Sequence, residues 1–189
     1  MPQKQTDNSN AEVKLNLRRA YLSKYGGSAC LDCCQGDMKL WKVLRKEFPN
    51  IKYMGVDLKP KSGRHKVDSC RLLSLSPLEW DVVDIDTYGD PWAHYFALCK
   101  SITNPTTVFL TLGHGMRGMS NISQPIRKAL GFPPKTPQRL AYLASRRYVT
   151  LVLHSCRQYD IIAHDIAHVE QSDTVEYFAL RLTPKGTKS

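Results

Sequence analysis

Hydrophobic positions along this chain switch between two spacings, and the switches divide it into elements. Leu15, Leu17, Tyr21 and Leu22 recur at helical spacing within residues 15–24 and are halted by Gly26-Gly27, which predicts a lead-in helix. Residues 28–33 then read as a short buried strand, followed by a turn through Gly36. A helix over 38–48 comes next, with Leu40, Trp41, Leu44 and Phe48 on one side and a stop at Pro49-Asn50. Residues 53–58 predict a second strand ending in Asp57, 59–64 a basic turn-rich loop, and 65–68 a short third strand.

The fourth strand, 81–86, carries Asp84 and Asp86 at alternate positions, which puts both carboxylates on one face. It breaks at Tyr88-Gly89 into a helix opened by Pro91 and closed before Asn104-Pro105. Residues 107–112 form the fifth strand. The stretch 113–136, with four glycines and three prolines, predicts a long irregular loop. A helix over 137–147 and two strands, 148–155 and 174–183, complete the pattern as an antiparallel edge pair. The βαβα order predicts an α/β fold: a three-layer, Rossmann-like doubly wound sheet, mostly parallel with that pair at its edge. A chain of 189 residues fills one such domain, expected over 13–185 behind a disordered tail of residues 1–12.

Composition sharpens this. The longest apolar runs, 107–112 and 148–153, fall far short of the roughly 20 residues that cross a bilayer. The polar first ten residues lack the apolar core of a secretory signal, so a cytoplasmic location with reduced cysteines is expected. Cys30 and Cys33 share a spacing used by metal and redox sites, but they fall in the first buried strand and read as small core side chains. A zinc site drawn from Cys156, His164 and His168 lacks the H-E-x-x-H order, so no metal is expected. The formal charge is +10, and residues 91–159 contain neither Asp nor Glu. Lysines and arginines concentrated between 113 and 147 predict a nucleic-acid partner.

Successive strands end in acids: Asp32, Asp57, Asp68, and Asp84 with Asp86. Carboxylates at the C-terminal edge of adjacent strands accept hydrogen bonds from ribose hydroxyls and an adenine amine, as a nucleoside cofactor requires. The same acids also serve as helix caps. The G-x-G-x-x-G fingerprint of dinucleotide-binding dehydrogenases is absent.

Read as motifs, L-D-C-C-Q-G-D-M-K-L-W, G-V-D-L, K-V-D-S and D-I-D-T-Y-G-D-P resemble, in order, the four motifs of class I S-adenosylmethionine-dependent methyltransferases, over residues 28–112. The fourth is similar to D-x-D-P-Y-G-S-P of the tRNA guanine-N2 dimethyltransferases and of phage-type methyltransferase-like proteins. It also resembles the shorter D-P-P-Y of DNA amino-methyltransferases. The resemblance implies S-adenosyl-L-methionine as cofactor, with Asp32 and Cys33 near its methionine end, Gly36 lining it, Asp57 and Leu58 at the ribose, and Asp68 at the adenine. It implies Asp86 as the acceptor-site carboxylate, Asp84 as its support, and Tyr88 stacking on the base. The implied activity is methyl transfer to a nitrogen of a nucleic-acid base, with tRNA or another RNA preferred. Thr87 stands where that motif has proline, Asp90 where it has serine, and Met38 follows the loop where a second glycine is usual. These departures favour a catalytically degenerate methyltransferase fold that binds nucleic acid, and a DNA amino-methyltransferase or an enzyme that methylates a small molecule or a protein stays open beside it.

Overall fold

A computed structural model describes residues 10–59, 65–75, 78–87, 91–113, 132–133, 135, 152, 156–172 and 175–186. The amphipathic runs condense in it as one sheet with helices on both faces. In chain order the elements are α1 (Ala11–Tyr25), β1 (Ala29–Asp32), α2 (Lys39–Glu47), β2 (Lys52–Asp57), β3 (His65–Lys66), α3 (Ser69–Leu73), β4 (Val82–Ile85), α4 (Trp92–Ser101), β5 (Thr106–Gly113), β6 (Ile161–Ser172) and β7 (Val175–Pro184). The sheet order is β3-β2-β1-β4-β5-β7-β6, parallel from β3 to β5, with β7 antiparallel to both β5 and β6. This is the predicted doubly wound architecture.

Alternation along each strand sorts the core into two layers. Leu31, Val83, Ile85, Val108 and Leu110 pack with Trp92, Tyr95 and Leu98 of α4. Cys30, Val82 and Phe109 face the other way, onto Leu15, Tyr21 and Leu22 of α1 and Trp41 and Leu44 of α2. The lead-in helix is therefore part of one layer rather than an appendage. It begins at Ala11, inside the segment expected to be a tail, and the remainder of that tail lies outside the described residues. The short α3 was not anticipated; Asp68 starts it, its Oδ1 accepting the Arg71 backbone N–H at 3.2 Å.

The edge pair needs correction. Residues 148–155 were expected to be a strand, yet Val152 is helical, as are residues 156–158. The strand that pairs with β7 is instead β6, the sequence I-I-A-H-D-I-A-H-V-E. Its alternation is hidden by two register shifts, between Ala163 and Asp165 and between Glu170 and Ser172, each of which breaks the period of two. The helix expected over 137–147 and nearly all of the basic stretch 113–147 lie outside the described residues.

Candidate functional site

Strand order reverses between β1 and β4: β1 runs outward to β2 on one side, β4 to β5 on the other. Crevices at such reversals, outside the carboxyl ends of the strands, are where open α/β sheets bind ligands. The acids predicted from sequence meet at this point. Asp32 and Asp84 are register partners on the two strands, and Asp86 follows β4 by one residue on the same face as Asp84.

Opposite them stands α1. Arg18 donates from Nε to Asp84 Oδ2 at 2.8 Å and from Nη2 to Asp84 Oδ1 at 2.7 Å, while Trp41 Nε1 donates to Oδ2 at 2.7 Å. Lys14 Nζ lies 2.7 Å from both oxygens of Asp86. The pairing is a matter of pitch. Residues i and i+4 on a helix are about 6 Å apart along the axis, and residues i and i+2 on a strand about 6.6 Å apart. Lys14 and Arg18 therefore meet Asp86 and Asp84 one to one.

These contacts separate the two acids. Asp84 is 1% exposed, with both oxygens engaged. It touches no solvent and joins α1, α2 and the sheet. It lies beside Asp86 with its oxygens taken up by Arg18 and Trp41. Asp86 keeps a quarter of its side chain exposed. Burial would raise its pKa, but Lys14 and Arg18 outweigh burial and hold it below the usual carboxylate value. Asp86 is thus an ionised, part-exposed acid just beyond the carboxyl end of β4.

Asp32 behaves oppositely. Burial, then the adjacent Asp84 charge, push its pKa up to about 8, although the Tyr53 hydroxyl donates to its Oδ2 at 2.7 Å and the Cys34 N–H to its Oδ1 at 3.2 Å. At neutral pH this carboxyl holds its proton for most of the time. Three acids facing two cations are then close to neutral in sum.

The loop after β1 crosses the top of β2. Gln35 N–H donates to the Val56 carbonyl at 3.0 Å, and Gly36 N–H to Asp57 Oδ2 at 3.2 Å. Asp57 Oδ1 takes the Lys59 N–H at 2.9 Å. Gly36 sits at φ +46°, where a side chain is strained, and among the described residues a Cβ built on it would meet only the Cys34 carbonyl oxygen at 3.8 Å. Met38 holds the left-handed conformation that glycine favours, φ 61° and ψ 16°, and its sulfur accepts from Gln35 Nε2 at 3.0 Å. Gly55 lies beneath this loop, where a Cβ would displace the ends of the Gln35 and Tyr53 side chains. Leu58, beside Asp57, leaves 60% of its surface exposed.

Other expected residues fall in different settings. Cys33 is 1% exposed in the α4-side core and reaches the site only through its backbone, its N–H donating to the Asp84 carbonyl at 2.9 Å. Asp68 spends one oxygen capping α3. Tyr88 and Asp90 lie outside the described residues. His168 bonds to Glu176 at 2.7 Å and stacks on Phe178, while the Tyr95 hydroxyl lies 3.3 Å from the Cys156 sulfur. Among the described residues no cluster of ligating side chains could hold a metal ion, and no helix is long and apolar enough to cross a membrane. Lys14, Arg18, Trp41 and Tyr53 were not anticipated as site residues. The available signal was two basic residues four apart in a helix, Lys14 and Arg18, matched to two acids two apart in a strand.

No family model and no curated protein sequence matches this chain. Solved structures do. Trm1 from Pyrococcus horikoshii, in complex with S-adenosyl-L-methionine, superposes with a TM-score of 0.70 at 14% identity over 97% of this chain. The chain spans 58% of that protein's length. TYW2 from M. jannaschii, in complex with AdoMet, gives 0.62 at 8% identity, covering 96% of this chain and 79% of that one. The N-methyltransferase NodS from Bradyrhizobium japonicum WM9, with S-adenosyl-L-homocysteine, gives 0.55 at 12% identity, covering 97% and 92%. At these identities the likeness is one of fold: this chain has the Rossmann-like fold of the class I methyltransferases.

Proposed function

We propose that this chain is an S-adenosylmethionine-dependent methyltransferase acting on a nitrogen of a nucleic-acid base, RNA before DNA. The observation that carries the reading is the arrangement at the strand reversal. Gly36 is bonded to Asp57 at the end of β2, and an ionised Asp86 stands across β1 at the end of β4.

The residues fit such a cofactor. Asp57 uses one lone pair of each oxygen on backbone N–H groups and keeps the others for ribose hydroxyls. Exposed Leu58 offers an apolar face to a flat base, and the lack of a side chain at Gly36 leaves room for a close approach. Among the described residues two buried side-chain oxygens flank the region without partners, Gln35 Oε1 on the β1 loop and Thr87 Oγ1 beside Asp86. Unpaired buried acceptors and hydroxyls of that kind are costly unless a ligand completes them. S-adenosylmethionine, when bound, supplies an electrophilic sulfonium methyl. Asp86 would accept the hydrogens of the acceptor nitrogen, orient its lone pair, and offset the positive charge that develops as the nitrogen attacks. Lys14 and Arg18 hold the Asp86 carboxylate ionised and in place. The likeness of D-I-D-T-Y-G-D-P to the tRNA guanine-N2 dimethyltransferase motif supports RNA as the substrate, as does the one-sign charge of residues 91–159.

One observation favours a second reading, a binding protein that has lost transfer: Lys14 contacts both Asp86 oxygens at 2.7 Å, where a substrate amine would have to compete. Calorimetric titration with S-adenosylmethionine tests the cofactor assignment. The proposal expects saturable binding that Asp57→Ala weakens severely; the absence of heat from the unaltered chain would overturn it.

A further inference from the structure

The opposite edge of the sheet carries a second feature. β5 begins, β7 ends and β6 begins on the same side, since Thr106 pairs with Leu182 and Ile161 with Pro184. That side is the N-terminal end of the parallel strands, away from Asp57 and Asp86. A cleft of about 430 Å³ opens there, walled by Pro105, Ile162 and Pro184, with Tyr25, Arg181 and Lys185 among its lining. It adjoins a second cleft of about 480 Å³ lined by Arg157 and Cys156, with Ile162 and Lys185 common to both.

Arg181 is the unusual residue. Its guanidinium lies 5.0 Å from the centre of the Tyr25 ring, and Nη1 donates to Thr107 Oγ1 at 2.9 Å. Among the described residues no carboxylate comes within ion-pair distance of it. The acids around it are committed elsewhere: Asp81 to the N–H groups of Ser28 and Ala29, and Asp165, its register partner on β6, to Lys24 and Tyr25. Burial pulls the Arg181 pKa below the ordinary arginine value, against the raising influence of Asp81 and Tyr25. A half-buried guanidinium with a fixed stacking platform and unused donors in a cleft suits an oxyanion, since the planar fork matches phosphate oxygens and is already oriented.

We propose that Arg181 and the cleft beside it form a phosphate-binding site, remote from the transfer site, that takes a phosphate mono- or diester. The chemistry is that of a free phosphate or of a nucleic-acid backbone group whose neighbouring base rests on Ile162 and Pro184. The site does not depend on cofactor binding, so it stands or falls separately from the methyltransferase reading.

The test is titration of the full chain, without cofactor, by inorganic phosphate and by a short oligouridylate, following the Arg181 Nε and Tyr25 resonances by NMR. Saturable shifts at both residues are expected. Arg181→Met, which keeps the stem over Tyr25, should weaken binding roughly tenfold and make the salt dependence of oligouridylate binding shallower by about one unit. Loss in both arms identifies a backbone phosphate, and loss with phosphate alone identifies a small anion; each supports the site. The proposal is overturned if both resonances of the unaltered chain stay put through both titrations. It is equally overturned if a folded Arg181→Met binds both probes as the parent does.

Discussion

Lys14 Nζ sits 2.7 Å from each carboxylate oxygen of Asp86, so the N-terminal helix touches the acid on which the proposed chemistry turns. The same helix, one turn on, closes Asp84 with Arg18. Removing the helix would thus unmake the acceptor side as well as one core layer.

The first prediction concerns that pair. Lys14→Met should cost about 1 kcal/mol at neutral pH, since the pair is partly solvated. Asp86 is depressed below its ordinary value of 3.8, so its contribution is present above that value and lost as pH falls through the folded one. Urea denaturation should show the gap between parent and variant closing below about pH 4. A gap that persists unchanged into acid would mean that Lys14 stabilises by packing alone.

Arg18 should behave quite differently. It is 2% exposed, and deleting its charge leaves Asp84 buried with only Trp41 to satisfy it. Arg18→Met should destabilise by roughly 3–5 kcal/mol, and Arg18→Met with Asp84→Asn should recover much of the loss, because the cost lies in the orphaned charge. Chemical denaturation of the single and double variants checks this; equal losses in both would contradict it.

Asp32 gives the opposite pH signature to Asp86. Its folded pKa, about 8, is above the ordinary 3.8, so the stability it contributes is complete below 3.8 and drains away as pH rises to about 8. Asp32→Asn, which keeps an oxygen for Tyr53 and Cys34, should flatten stability between those limits and exceed the parent at pH 8. A carboxyl carbon titration by NMR with its midpoint near 4 would refute the assignment.

Gly36→Ala tests the loop. The new side chain meets almost nothing but sits at φ +46°, so a cost on the order of 1 kcal/mol is expected. If the loop shifts to relieve it, the contact with Asp57 is lost and cofactor affinity falls further than stability does. Calorimetry beside thermal unfolding separates the two effects.

Much of this was legible beforehand. Buried strands at β4 and β5 announced themselves through valine, isoleucine and leucine runs, and the acids that end β1, β2 and β4 could be aligned without a structure. Strand β6 could not be read, because its bulges break the alternation and place His164, Asp165 and His168 where a period of two would not put them. The division of labour between Asp84 and Asp86 was also hidden. Both are acids on one strand face, and only the position of α1 makes one a buried tie and leaves the other at the crevice. Local sequence carries spacing, whereas which neighbour fills the opposite face is decided by packing.

Incubation of the chain and its Asp86→Ala variant with labelled S-adenosylmethionine and separate pools of tRNA, rRNA and DNA, followed by nucleoside analysis, reads methyl transfer itself. Label is expected on a base nitrogen in an RNA pool with the parent, and intact cofactor binding but no label with Asp86→Ala. The proposed reaction, with Asp86 as its carboxylate, would be contradicted by no label in any pool from the parent, or by transfer that survives in Asp86→Ala.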